Sequence, residues 1–242
     1  MSISRSAAAK SCGATFVFCA LLALAAPASA QTQTITFSLG YFAVTGEDGR
    51  VDDDVLVADL SIEPELIFEI GDFSNAFVGG EWLVGIGRNF EVGGGIGYYR
   101  STVPSIYRDL TRPDGTEIFQ ELKLRITPVT ATARFLPLGH GRFEPYIGGG
   151  VGFFSWRYSE TGEFVDPSDL SVFRASFVEN GTAVGPVILG GLRYVANPWV
   201  AGFEVRWQDA AGDLPTTGEN SFLGSKIDLG GFTTQFTVGW RF

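Results

Sequence analysis

A single histidine, His140, is the whole imidazole complement of this 242-residue chain, and its two cysteines, Cys12 and Cys19, both lie near the start. Acyl-transfer or lipid-cleaving chemistry of the Ser–His–acid kind needs a base within reach of the nucleophile. No second imidazole can stand in for His140, and no spacing of Asp or Glu marks a carboxylate pair for acid–base work. The sequence therefore predicts no catalytic residue, no enzyme activity, no cofactor and no metal centre. Two glycine clusters, 93–97 and 148–152, could in principle free backbone amides for a phosphate. Neither follows the G-x-G-x-x-G pattern and neither leads into Lys-Ser/Thr, so both are read as room for neighbouring side chains.

Charges placed at a period of two are more informative. Glu81, Glu91, Arg134, Glu204, Arg206 and Arg241 each alternate with apolar residues, which puts them on the polar side of a strand. A lone charge in a dry interior is costly, so pairing is expected, with Glu91 and Arg134 as partners near one end of adjacent strands. Such charges could plug a barrel or gate it. On the same side but nearer the other end fall Phe42, Phe77, Leu83, Val151, Phe153, Val187 and Leu189. That apolar set suits either a binding site for a small greasy molecule or a closed core. A third group is acidic: Glu47, Asp48, Asp52, Asp53, Asp54, Asp59, Glu63, Glu65, Glu69 and Asp72 crowd one connector, with Arg50 among them. These acids could bind divalent cations or form a solvated face.

The elements that must hold these residues are strands. Eight alternating segments can be picked out, over 34–44, 76–87, 90–100, 121–136, 143–158, 184–195, 198–209 and 227–242. About ten residues is the length a tilted strand needs to cross a bilayer. In the fourth segment Leu122, Leu124 and Ile126 are expected to point outward, with a bulge at Pro128 shifting the phase to Val129, Ala131, Ala133 and Phe135. In the fifth, Tyr146, Phe154, Trp156 and Tyr158 are expected outward. The connectors at 87–89, 138–142 and 196–198 are short, while 45–75, 101–120, 159–183 and 210–226 are long. Short and long alternate strictly, as in a barrel with tight turns on the periplasmic side and loops outside. Within the first loop Leu60, Ile62, Leu66, Phe68 and Ile70 alternate with acids, which reads as a strand extension above the membrane and a docking edge.

Residues 1–30 carry Arg5 and Lys10, an apolar run and a closing Ala-Ser-Ala, the pattern of a secretory signal peptide, leaving 31–242 as the barrel. Both cysteines would leave with it. All 27 acids then face 15 Lys and Arg, once Arg5 and Lys10 are taken from the 17, which argues against a nucleic-acid partner. Aromatics cluster at two heights: Phe90, Trp199, Trp240 and Phe242 toward the periplasmic end, Tyr98 and Trp207 some eight residues higher.

This layout resembles the small outer-membrane barrel families, chiefly the OmpW-like and OmpA-transmembrane-type barrels. The residues that carry it are RFEPYIGGGVGF (142–153), ITPVTATARF (126–135), NPW (197–199) and the final VGWRF (238–242). The resemblance implies an all-β, eight-stranded antiparallel up-and-down transmembrane β-barrel in the cell outer membrane, in contact with membrane lipid and lipopolysaccharide. It also implies that Phe242 is read by the barrel-assembly machinery. Two functions follow as expectations: a narrow porin-like conduit or binding barrel for small, hydrophobic solutes, or a structural or adhesive surface protein acting through its acidic loops.

Overall fold

The computed structural model describes residues 31–242 apart from 62, 167 and 219; the leader read over 1–30 lies outside them. Alternation of β-branched or aromatic residues with small polar ones produces eight long strands. They are β1 (Gln33–Val44), β2 (Asn75–Ile86), β3 (Phe90–Thr111), β4 (Glu117–Phe135), β5 (Phe143–Val165), β6 (Val172–Ala196), β7 (Trp199–Gln208) and β8 (Gly231–Arg241). Each pairs antiparallel with its chain neighbours, and β1 pairs with β8, so the ring is closed. Within the belt, closure removes the unpaired edges and satisfies the backbone internally, the condition for strands to stand in lipid. The chain's end is part of the seam: Gln33 and Phe242 exchange two backbone hydrogen bonds of 2.9 Å. That end of the barrel also carries the three short turns.

Outward-facing side chains form an apolar belt. Phe37 is 72 % exposed and Phe236 70 %, and Leu39, Trp82, Ile96, Val129, Ile147, Ile188 and Phe203 are exposed with them. Exposure of so many large apolar groups has one economical explanation, a hydrocarbon solvent. The aromatic rings at the turn end pack in pairs, Trp199 with Trp240 at 4.9 Å, Phe143 with Tyr194 at 5.1 Å and Phe90 with Phe135 at 5.3 Å between centroids. With exposed Phe242 they make the lower girdle. Tyr98 is exposed at the upper boundary and Trp207 half-buried there.

Strand length is unequal. β1, β2, β7 and β8 have 12, 12, 10 and 11 residues, enough to cross; β3 to β6 have 22, 19, 23 and 25. Half of the wall therefore rises well past the belt. The spans 101–120 and 159–183, expected as loops, are mostly the arms of two tall hairpins. Their inner faces mix polar with apolar residues, as in Ser101, Val103, Ser105 and Tyr107, which are all buried, so hydropathy alternation fades while strand pairing continues.

Two expected phases are overturned for the same reason. No bulge forms at Pro128: β4 pairs with β5 in even register from Gln120↔Gly162 to Phe135↔Ile147, and Leu122, Leu124 and Ile126 point inward, fully buried. In β5, Tyr146, Phe154, Trp156 and Tyr158 are buried in the lumen, and Val151 and Phe153, expected inside, face lipid. The rule that apolar means outward holds only within the belt. Above it water lies outside and the interior is dry, so the sign reverses without any change of phase; Tyr146 lies lower, within the belt, and points inward because its hydroxyl donates to Glu204.

The first loop also departs from the strand expected over 55–70. Asp54 accepts the Leu56 amide at 3.1 Å as an N-cap and starts a short helix, α1 (Val55–Ser61). Val55 and Leu56 are fully buried over the barrel mouth. Among the described residues of that span only Leu66–Ile67 pairs as a strand, with Tyr107 and Ile106 of β3, and Phe68, Ile70 and Phe73 are buried beyond it. Ile62 lies outside the described residues. The loop is a lid on the barrel, not a free docking edge.

Candidate functional site in the lumen and at the mouth

Each of the predicted interior charges faces the lumen, but the expected pair does not form. Glu91 and Arg134 are cross-strand neighbours, yet each binds elsewhere. Near the turn end Arg193 of β6 donates to Glu144 of β5 at 2.6 and 2.9 Å and to Glu91 of β3 at 2.6 Å. Arg241 of β8 grips both oxygens of Glu144 at 2.7 Å in a bidentate fork. One layer higher, Arg134 of β4 bridges Glu204 of β7 at 2.8 Å and Glu81 of β2. Arg206 reaches Glu204 at 2.9 Å, and Gln235 and Tyr146 donate to the same carboxylate at 2.8 and 3.0 Å. The Tyr146 ring lies between the layers, 4.7 Å from the Arg134 guanidinium and 5.7 Å from that of Arg193.

Four guanidinium groups thus meet four carboxylates, drawn from seven of the eight strands. Charge balance and multiple hydrogen bonds are what make such a network tolerable in a dry lumen. Arg193 and Glu144 escaped the sequence reading because their segments carried larger apolar signals; both nevertheless fit the period-two pattern, two residues from Val195 and Tyr146. Large inward groups need small partners. A Cβ on Gly97 would meet Phe77 at 2.4 Å and Pro128 at 3.1 Å, and one on Gly191 would meet the Tyr146 hydroxyl at 2.6 Å. Gly97 of the first cluster makes space in this way, as does Gly152 of the second, where a Cβ would meet Phe154 at 2.4 Å.

His140 sits in the turn-end floor, 3.6 Å from Glu144 and 3.8 Å from Glu91. Ligand atoms of these three residues lie within 4.8 Å of one another. The guanidinium groups of Arg193 and Arg241 already supply the positive charge that a divalent ion would bring, so the donor set is electrostatically filled. Neither ring nitrogen of His140 has a hydrogen-bond partner among the described residues.

Above the charge layers the lumen is apolar. Phe42, Phe77 and Val187, expected there, are buried, and Tyr99, Leu122, Leu124, Ile126, Phe154 and Trp156 join them; Leu83 and Leu189, expected with them, are buried lower down, Leu83 two residues nearer the turn end than Glu81 and Leu189 beside Tyr146. Between these zones a void of about 20 Å³ remains, lined by Ser38, Phe77, Glu81, Thr130, Arg206 and Gln235. That is room for about one water. Among the described residues the lumen is filled by these buried side chains.

The lid is locked over it by a buried salt bridge. Arg50 binds Asp54 at 2.7 and 3.0 Å and the Asp228 carbonyl at 3.3 Å, with the Arg50 and Asp54 side chains 1 % and 0 % exposed. Asp228 in turn accepts the amides of Val51 and Gly230. Part of the acidic run is therefore structural. Beside the lid, at the barrel mouth, lies a cavity of about 320 Å³. Its walls include Leu66, Tyr107, Phe164, Phe173, Phe177 and Phe222, and its polar edge is Asp59, Gln120 and Glu160. Asp59 Oδ2, Gln120 Oε1 and Glu160 Oε1 are buried with no hydrogen-bond partner. Both acids stand above the apolar belt. Burial pushes the Asp59 carboxyl far above the usual carboxylate range, aided by the charges of Glu160 and Asp54. Burial likewise raises Glu160 to about 7.

A closed strand ring with a lipid-facing belt, a filled lumen and a loop lid defines a transmembrane β-barrel of the outer-membrane type. Among solved structures the chain is similar to the outer membrane protein OprG from Pseudomonas aeruginosa, at 11 % identity and a TM-score of 0.48 over 88 % of this chain and 95 % of that one. It is also similar to Ail, the attachment invasion locus protein of Yersinia pestis, solved with the heparin analogue sucrose octasulfate, at 10 % identity and a TM-score of 0.46 over 88 % and 99 %. A further likeness is to the outer membrane protease OmpT from Escherichia coli, at 12 % identity and a TM-score of 0.40 over 88 % and 96 %. No family model and no curated protein matches the chain.

Proposed function

We propose that this protein is a non-catalytic binding barrel of the outer membrane, which takes up a small, largely apolar molecule at its extracellular mouth. The observation that carries this reading is the 320 Å³ cavity, walled by four phenylalanines and edged by three unpartnered polar atoms. Its size falls at the lower end of ligand pockets, and a few convergent polar groups in an apolar wall are their usual composition. Passage down the lumen would require both charge layers and the apolar core to rearrange, so binding and not ion conduction is the function the geometry supports. Exposed Leu170, Val172 and Phe173 at the tip of the tall β5–β6 hairpin favour a second reading, adhesion to a surface partner.

The test uses the protein in lipid nanodiscs, titrated with 1-octanol and with octylamine by saturation-transfer NMR, alongside Ser221→Trp, which places a ring in the cavity. Saturable binding of either compound, weakened at least tenfold by the substitution, is expected. Binding that is unsaturable, or unchanged when the cavity is filled, would remove the reading.

A further inference from the structure

Just above the belt three arginines stand side by side on the outside of the wall. Arg100 of β3 is the cross-strand partner of Arg125 of β4, and Arg125 is the partner of Arg157 of β5. All three are exposed, and a cleft of about 200 Å³ runs between them and Tyr98, Lys123 and Ser159. Directly opposed side chains on adjacent strands have their Cβ atoms only about 5 Å apart, and like charges so placed are destabilising. No ion pair among the described residues offsets this. No carboxylate lies within 4.0 Å of any of the three guanidinium groups among the described residues, and the nearby Glu121 is paired with Lys123 at 3.7 Å. Among the other described arginines only Arg88 and Arg142, both in short turns at the opposite end of the barrel, are exposed without an ion pair; Arg50, Arg108, Arg112, Arg134, Arg174, Arg193, Arg206 and Arg241 are all paired.

The height of the row says what faces it. Two residues below Arg100 is Tyr98, and two and four below Arg157 are Ser155 and lipid-facing Phe153, so the row lies where outward residues change from apolar to polar. A group there meets the headgroups of the outer leaflet. Forked guanidinium donors bind phosphate bidentately, and partial removal from water strengthens that attraction.

We infer that Arg100, Arg125 and Arg157 form a site on the outer wall of the barrel for the phosphate groups of an outer-leaflet glycolipid of the lipid A type. Of the acids of the first loop, Asp54 and Asp59 are buried at the lid and the mouth, while Glu47, Asp48, Asp52, Asp53, Glu63, Glu69 and Asp72 are exposed.

The experiment compares the full-length protein, processed and purified from outer membranes, with Arg100→Gln/Arg125→Gln/Arg157→Gln, both in zwitterionic detergent. Binding of fluorescent diphosphoryl lipid A, of its dephosphorylated form and of inorganic phosphate is read by anisotropy and competition. Folding of each variant is checked by heat-modifiable gel mobility. The expected result is at least tenfold weaker binding of diphosphoryl lipid A by the triple variant, with equal binding of the dephosphorylated form by both proteins. An Arg→Lys triple variant should lie between them, since it keeps charge and loses the fork. Equal affinity of the wild type and the Gln variant for diphosphoryl lipid A would overturn the inference. So would inorganic phosphate alone binding as tightly as the lipid, which would make this a free-phosphate site.

Discussion

Arg134 is the point at which the upper charge layer can be tested most sharply. Its side chain is 3 % exposed and is shared between Glu204 and Glu81, which are 1 % and 10 % exposed. Arg134→Ala leaves these two carboxylates with Arg206, which lies 2.9 Å from Glu204 and 3.6 Å from Glu81. One buried negative charge then has no counterpart. Breaking a buried pair from one side costs about 3–5 kcal/mol, mostly the penalty of the abandoned charge. Arg134→Ala with Glu81→Gln removes one charge of each sign and returns Arg206 to Glu204 alone, so it should recover more than half of that loss. The coupling between the two sites should be positive and at the upper end of the roughly 0.5–3 kcal/mol range for residues in contact.

Urea unfolding in lipid vesicles, followed by the fluorescence of the five tryptophans and by gel mobility, measures each variant. Neither variant should pass current in a planar bilayer, because Phe42, Tyr99 and Phe154 still close the lumen above. A loss below about 1 kcal/mol for Arg134→Ala would mean that water reaches the layer and screens it. A double variant no more stable than the single one would show that Arg134 acts by packing and not by charge. Steps of conductance in Arg134→Ala alone would refute the filled core.

Two further expectations concern the lid. Arg50→Met strands Asp54 in a site where its side chain is 0 % exposed, and should loosen residues 50–61 by about 3–5 kcal/mol of local stability; amide exchange rising there, with the barrel's urea midpoint nearly unmoved, is the signature. Glu160 binds its proton more tightly when folded, at about 7 against 4.5, so between these values the folded state holds more protons than the unfolded one. The contribution of Glu160 to stability is therefore fully present below pH 4.5 and is lost as pH rises toward 7, by at most about 1.4 kcal/mol per unit. Glu160→Gln should flatten that slope, and an unchanged slope in the variant would place the titration elsewhere.

What the sequence could reveal follows from which solvent each residue meets. Strand number, turn positions and the inward placement of Glu81, Glu91, Arg134, Glu204, Arg206 and Arg241 were legible because, within the belt, lipid and lumen impose opposite preferences on alternate residues. Pairing among those charges was not. Cross-strand adjacency suggested Glu91 with Arg134, but in a ring this narrow a long guanidinium reaches across the lumen, so Arg134 meets Glu81 and Glu204 while Glu91 meets Arg193. Nearest neighbours in a sheet are not nearest neighbours inside a barrel.

The mouth was misread for a different reason. Leu122, Leu124, Ile126, Phe154, Trp156 and Tyr158 look like lipid-facing residues because nothing local distinguishes a dry lumen from a lipid tail; both reward burial of the same apolar area. The distinguishing signal lies on the other face. Lys123 and Arg125 alternate with Leu122, Leu124 and Ile126, and Arg157 with Trp156 and Tyr158. A cation on the outer face excludes hydrocarbon there, so wherever Lys or Arg alternates with large apolar residues on several neighbouring strands, those strands have left the bilayer and the apolar side must face inward. By that argument the row Arg100–Arg125–Arg157 marks the membrane surface, and the same row that dates the end of the belt also fixes the height of the apolar mouth above it.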